Sequence, residues 1–172
     1  LAKKSESYEI CFVPDNDYRG FLKRKVEGLE EKVAGGYFVD KEGKILGQHK
    51  GYPFYTIGQR KGLDITFGKP VYVTAINPDN NTVVLGDEAD LEKEDMRVGK
   101  VNWIKYDGLT EPMETITKIR YKDKGSVSLI SAAENGGVSV RFFEKAKGIA
   151  PGQSAVFYEG DDVIGGGIIQ RQ

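Results

Sequence analysis

The segment SVSLISAAENGGVSVRFF, residues 126–143, contains two β-prone runs separated by a short polar turn. The turn, ENGG at 134–137, carries an Asn-Gly pair. This pair strongly favours a tight connection between antiparallel strands. The segment therefore predicts a β-hairpin, and it sets the pattern for the second half of the chain.

The same pattern of short β-prone runs continues on both sides of that hairpin. From residue 98 onward the runs are VGKVNWIKY, ETITKIRY, QSAVFY and DVIGGGII. Several short strands at roughly 8–12-residue spacing predict a small antiparallel barrel or sandwich, and a barrel is favoured because closure removes exposed edges. The three glycines at 165–167 indicate close backbone packing or a bulge.

The first half of the chain has a mixed pattern. Residues 17–27 predict a short helix, which Asp17 can cap, and little after it is typical of a helix. GGYFVD (35–40) and KILGQH (44–49) predict a hairpin, and PVYVTAINP and TVVLG predict a second one around DNN. We therefore predict a mainly β protein, with a small mixed α/β domain followed by an antiparallel β-barrel.

Composition limits the class of protein. The 25 basic and 26 acidic residues nearly cancel, so net charge does not point to nucleic acid. The acidic block DEADLEKED, 87–95, is interpreted as a solvated linker or loop.

No run approaches the roughly 20 apolar residues of a membrane span, so no membrane association is expected. One cysteine permits no internal disulfide, which suits a reducing cytoplasm, and one Cys with one His cannot supply a zinc tetrad.

Two segments interleave cations with aromatic residues. HKGYPFYTIGQRKGL, 49–63, and KIRYKDK, 118–124, both have the mixture that suits RNA, since cations meet phosphates while rings stack on bases. On composition alone, a loop between strands with ordinary solvated cations is the favoured interpretation of the first segment. In the second, strand alternation would place Arg120 on one face and Ile119 and Tyr121 on the other; an edge strand protected by charge is the alternative.

The only cysteine, Cys11, lies in EICFVP, residues 9–14. Its apolar neighbours favour a small buried hydrophobic residue over a reactive thiol. The nearby basic residues would lower its pKa only if the fold brought them close.

Taken in order, several motifs give the chain a resemblance to a known family, the tRNA-specific 2-thiouridylases. The motifs are SxxICFVP, DYRGFL, GKILGQHKG, FYTIGQRKGL, the PVYV and NNTVVLG hairpin, KIRY and PGQSAVFY. They extend over essentially the whole chain, and FYTIGQRKGL is the most specific of them.

The resemblance implies a domain organisation and a chemistry. Residues 1–14 would be the tail of an ATP-pyrophosphatase domain that this chain otherwise lacks, 15–93 the central domain, and 94–172 a barrel similar to those of translation factors. In the whole enzyme, ATP with magnesium, bound by the missing domain, activates the wobble uridine of tRNA, and a cysteine persulfide supplies the sulfur. This chain alone would hold no cofactor and would be inactive.

The resemblance also implies roles for particular residues. Cys11 matches the persulfide-carrying cysteine, while Arg120, Tyr121 and Gln153 match tRNA contacts. Three further residues are candidate RNA contacts: His49, Arg60 and Lys61. Asp64 departs from the family pattern, in which glycine commonly follows GL.

The expected partners are tRNA and a sulfur donor, either a persulfide-donating relay protein or a cysteine desulfurase. The alternative is a free-standing RNA- or protein-binding barrel module whose cysteine is structural.

Overall fold

The fold is seen in a computed structural model that describes residues 13, 17–65, 68–121 and 123–171. Within these ranges there are two α-helices, Tyr18–Lys25 (α1) and Leu29–Val33 (α2), and three short 3₁₀ helices, Tyr52–Phe54, Glu88–Leu91 and Glu134–Gly136. The described strands are Tyr37–Val39 (β1), Ile45–Gln48 (β2), Tyr72–Asn77 (β3), Thr82–Gly86 (β4), Glu92–Trp103 (β5), Met113–Lys118 (β6), Ser126–Ala132 (β7), Val138–Lys147 (β8), Ser154–Glu159 (β9) and Asp162–Ile169 (β10).

The chain forms two compact units. The first comprises the described residues up to Tyr55 together with Ile76–Val84, and the second comprises Thr56–Ala75 and the described residues from Leu85 onward. None of the described helices has the length and apolar character needed to cross a membrane.

The first unit is organised around a small sheet. Strand β1 pairs antiparallel with β2 and parallel with β4, and the sheet order is β2-β1-β4-β3. Phe38 of β1 and Val83 of β4 are fully buried and lie in register. The ring of Phe38 meets that of Tyr55 edge-on, with 5.1 Å between their centres. The predicted helix is confirmed as α1, and the Asp17 carboxylate accepts a hydrogen bond from the Gly20 N–H at 2.8 Å.

Six strands of the second unit form a closed antiparallel barrel in the order β10-β5-β8-β7-β6-β9. The hairpin predicted for residues 126–143 is confirmed. Strand β7 pairs with β8, and Ile130 lies opposite Val140, with both side chains fully buried in the barrel. Inward-facing side chains alternate with outward-facing ones, so an apolar cluster lies in the interior, together with the buried, hydrogen-bonded hydroxyls of Thr115, Thr117 and Ser128. The predicted mainly β fold and its barrel are thus confirmed.

The sequence interpretation was wrong in two places. The acidic block is not a loop, because Glu88–Leu91 form a 3₁₀ helix and β5 begins at Glu92. Its charged side chains are tolerated because they lie on the outer side of the strand, where Lys147 lies 3.3 Å from Glu92. The helix α2 was also missed; its five residues are too few for a clear helical repeat, and burial of Leu29 and Val33 stabilises it.

The glycines of β10 confirm the expectation of close backbone packing. An ideal Cβ added to Gly166 would lie 2.6 Å from the carbonyl oxygen of Ala155 in β9, and one added to Gly167 would lie 2.6 Å from that of Gly99 in β5. At Gly166 and Gly167, the strand that closes the barrel therefore has no room for a side chain.

We expect Gly166→Ala to lower the free energy of unfolding of the barrel by about 1–3 kcal/mol, the usual cost of overpacking. Gly108→Ala is the matched control, because a Cβ there would meet no heavy atom within 4 Å. Urea unfolding followed by the fluorescence of Trp103, the single tryptophan, measures both. Equal midpoints for the two variants would contradict this account of barrel closure.

Candidate functional site

One end of the barrel brings together the predicted tRNA contacts of the second unit. Lys118, the last residue of β6, lies opposite Val156 near the start of β9. The turn that carries Arg120 and Tyr121 and the loop that carries Gln153 therefore lie at the same end of the barrel.

The turn after β6 is held by the carboxylate of Asp123. One oxygen accepts a hydrogen bond from the Ile119 N–H at 3.0 Å, and the other accepts one from the Gly125 N–H at 3.1 Å. Ile119 is buried, whereas Tyr121 is 83% exposed. The expected strand alternation was wrong here, because β6 ends at Lys118 and the turn directs Tyr121 to solvent.

Sequence reasoning missed Asp123, although a signal was available. Aspartate commonly binds nearby backbone N–H groups in turns, and here it lies two residues before Gly125. Its role is positional, since it fixes the backbone from which Arg120 and Tyr121 project.

The loop before β9 lies against the same turn. An ideal Cβ on Gly148 would be 3.3 Å from a guanidinium nitrogen of Arg120, so the arginine side chain reaches this loop. The loop backbone is anchored to β10, because Gln153 O accepts from the Ile169 N–H and Ile169 O accepts from the Gly152 N–H, both at 2.8 Å. The side chain of Gln153 is exposed. The Gln153 amide therefore projects from an anchored backbone, in the same loop that the Arg120 guanidinium reaches at Gly148.

A further cation and aromatic ring lie on the wall next to this end. The ammonium of Lys118 lies 4.7 Å from the ring centre of Tyr158, a cation–π contact. Together these residues offer a cationic fork, an exposed phenol ring and an amide. Such groups can bind a phosphate, stack on a base and hydrogen-bond to a base edge, respectively.

The three candidate contacts from the central motif are in different settings. Arg60 and Lys61, in the second unit, are exposed, and the Gln59 side chain holds their loop by donating to Lys61 O at 2.9 Å and accepting from the Thr56 N–H at 3.0 Å. Asp64 has φ of 55°, a left-handed backbone that glycine adopts without strain, which explains why glycine suits that position.

His49, in the first unit, is buried and only 7% exposed. Its Nδ1 accepts a hydrogen bond from the Gly51 N–H at 3.0 Å, so the neutral ring carries its proton on Nε2. Burial lowers its pKa, and nearby backbone groups of Asn81 and His49 itself oppose only part of that shift. The roles of His49, Arg60 and Lys61 as RNA contacts stay predictions.

Cys11 lies outside the described residues, so its predicted role as a sulfur carrier has no structural account here. Within the described ranges, no cluster of three or more His, Cys, Asp or Glu side chains could hold a metal ion.

Comparison with known proteins assigns both parts of the chain. Residues 19–87 match the tRNA methyl transferase PRC-barrel domain family, and residues 93–169 match the aminomethyltransferase beta-barrel domain family. These are the class of domains that the mixed sheet and the closed barrel represent.

Individual relatives identify the family more specifically than the two domain matches do. The tRNA-specific 2-thiouridylase MnmA of Amoebophilus asiaticus is 57% identical over 99% of this chain, and that of Cytophaga hutchinsonii is 58% identical over 99%. The corresponding protein of Chlorobium phaeobacteroides is 48% identical over 98%. The chain spans about 45% of the length of the first of these relatives and 46–47% of the other two. It belongs to the tRNA-specific 2-thiouridylase family and corresponds to the C-terminal part of its members.

The buried His49 predicts a pH dependence of stability. Because its pKa is lower in the folded chain than in the unfolded chain, the unfolded state takes up a proton first as the pH falls. The free energy of unfolding should therefore be constant well above pH ~6.5 and fall below it, with a slope of at most about 1.4 kcal/mol per pH unit.

Urea unfolding of the first unit between pH 7.5 and 5.5, followed through the amide resonances of Phe38 and Val39, measures this slope. The variant His49→Gln lacks the titrating group and should lose this component of the pH dependence. Identical pH profiles for the two proteins would show that His49 does not cause the pH dependence of stability.

Proposed function

We propose that this chain is the central and C-terminal part of a tRNA sulfurtransferase that makes 2-thiouridine at the wobble position. The observation that carries the proposal is the 57% identity to a protein named tRNA-specific 2-thiouridylase over 99% of this chain. The exposed groups at the barrel end agree with it, because Arg120, Tyr121 and Gln153 are chemically suited to RNA.

In this proposal the barrel end is a tRNA-binding surface. The guanidinium of Arg120 binds a backbone phosphate, and the ring of Tyr121, which is 83% exposed, stacks on a base. Gln153 contributes hydrogen bonds from a loop whose backbone is anchored to β10. The buried Ile119 and the carboxylate of Asp123 keep these groups in place, so little ordering is needed on binding.

The sulfur chemistry is assigned to Cys11 and to a domain that this chain does not contain. ATP would adenylate the C2 oxygen of the uridine with release of pyrophosphate, and the terminal sulfur of a persulfide on Cys11 would attack C2 and displace AMP. A second cysteine, in the ATP-binding domain, would then break the S–S bond to Cys11, which leaves the sulfur on the uridine and a disulfide between the two cysteines. The sulfur would come from a relay protein or a cysteine desulfurase, and the reaction would take place in the cytoplasm. Alone, the chain should neither hydrolyse ATP nor thiolate tRNA.

The role of the barrel end is tested by Arg120→Ala in the full-length protein. We expect tRNA affinity to fall about tenfold. The slope of log K against log salt concentration should decrease in magnitude by roughly 0.7–0.9, because a protein with one phosphate contact fewer releases fewer counterions on binding. Arg97→Ala is the matched control, since Arg97 is an exposed arginine on the barrel wall. An unchanged salt slope in Arg120→Ala would exclude the phosphate contact.

The role of Cys11 is tested by Cys11→Ser in the full-length protein. We expect 2-thiouridine, measured by mass spectrometry of nucleosides from reacted tRNA, to be abolished. Binding of tRNA should stay within about twofold of the unsubstituted protein, because the thiol is a reactant and not a binding group. Persistent thiolation by the variant would remove Cys11 from the mechanism.

A further inference from the structure

The first unit contains a cavity of about 450 Å³ that the functions above do not use. Its lining includes Arg19, Lys23, Glu30, His49, Lys50 and Phe54. With His49 neutral, three cations face one carboxylate, so the lining carries a net positive charge. A cavity of this kind favours an anionic ligand.

The arginine of this cavity is held by rings rather than by an acid. The guanidinium carbon of Arg19 lies 5.9 Å from the ring centres of both Phe54 and Tyr55. Among the described residues no carboxylate pairs with it. Aromatic contacts orient the guanidinium while leaving its N–H donors able to bind an anion, and the planar fork matches phosphate.

The second cation has an acidic partner that an anion can replace. Lys23 lies 2.5 Å from Glu30, and their side chains are 43% and 66% exposed. Exposed pairs of this type contribute only about 0.2–1 kcal/mol. The ammonium of Lys23 can therefore turn to a phosphate at small cost.

His49, which lines the cavity, carries an unsatisfied donor. Nε2 of His49 is buried and makes no hydrogen bond. Oδ1 of Asn81 is also buried and accepts no hydrogen bond. Both atoms lie close to Gly36, where an ideal Cβ would be 2.6 Å from each of them. The Asn81 amide is fixed by donating to Val33 O at 3.0 Å and Ala34 O at 3.1 Å. A buried donor without a partner is costly unless a ligand or water oxygen satisfies it.

We propose that this cavity is a phosphate-binding subsite in which Arg19 and Lys23 bind the phosphate oxygens and His49 forms part of the lining. The phosphate is supplied by the RNA backbone, so the proposal rests on the proposed function and adds a second RNA contact in the central unit. A free nucleoside monophosphate offers the same chemistry, and the test below separates the two sources.

His49 is the only histidine of the chain, so its Cε1–H resonance is a unique reporter of the cavity. The 172-residue chain is titrated at pH 7.5 with inorganic phosphate, with adenosine 5′-monophosphate and with a short single-stranded RNA. We expect a saturable shift of this resonance with RNA. A comparable shift with the monophosphate at similar concentration would assign the site to free nucleotides instead of RNA, still as a phosphate site.

The variants Arg19→Gln and Lys23→Gln are compared with Arg24→Gln, which removes a cation of the same helix that does not line the cavity. The titration midpoint should rise about tenfold in Arg19→Gln, several-fold in Lys23→Gln, and not in Arg24→Gln. Amide spectra check that each variant is folded. If Arg19→Gln is not folded, Lys23→Gln alone tests the cavity.

No saturable shift with any of the three probes, or the same midpoint in the cavity variants as in Arg24→Gln, would overturn the proposal. Failure of the barrel-end site is a separate result. If Arg120→Ala left tRNA affinity unchanged, the His49 titration could still show the cavity to be a phosphate site.

Discussion

Closure of the barrel through the three glycines at the centre of β10 is the constraint on which the second unit depends. Strand β10 lies between β9 and β5, and an added Cβ would come within 2.6 Å of a carbonyl oxygen on each side. Closure gives every barrel strand a partner on both sides, so none of the six is left as an exposed edge strand. It also fixes which turns meet. The turn after β6 and the loop before β9 lie together because their strands are paired.

The barrel end shows how a scaffold of paired strands positions exposed polar and aromatic groups. Burial of Ile119 and the two hydrogen bonds of Asp123 fix the turn, while Tyr121 and the guanidinium of Arg120 remain outside the core. Loops placed on a sheet in this way commonly carry binding residues. The exposed groups cost little stability, because none of them is needed for packing.

The first unit distributes its polar groups differently. His49 is buried beside the rings of Phe38 and Tyr55, and its Nδ1 satisfies the Gly51 N–H. Two buried polar atoms of the described part of this unit have no hydrogen-bond partner, Nε2 of His49 and Oδ1 of Asn81, and His49 also lines the cationic cavity.

Local patterns in the sequence determined the helix capped by Asp17, the hairpins, the barrel and the glycine-dependent packing of β10, because turn chemistry and β-prone runs act over a few residues. The motifs also determined the family. They did not reveal that Glu92 begins a strand, that Tyr121 leaves the strand pattern, or that Asp123 organises its turn. Tertiary structure alone decided which distant residues lie together. Arg120 reaches the loop that begins at Gly148, and the side chains of His49 and Asn81 both lie beside Gly36. The reason is physical, since contacts between residues distant in the chain are set by strand pairing and burial, which no local pattern encodes.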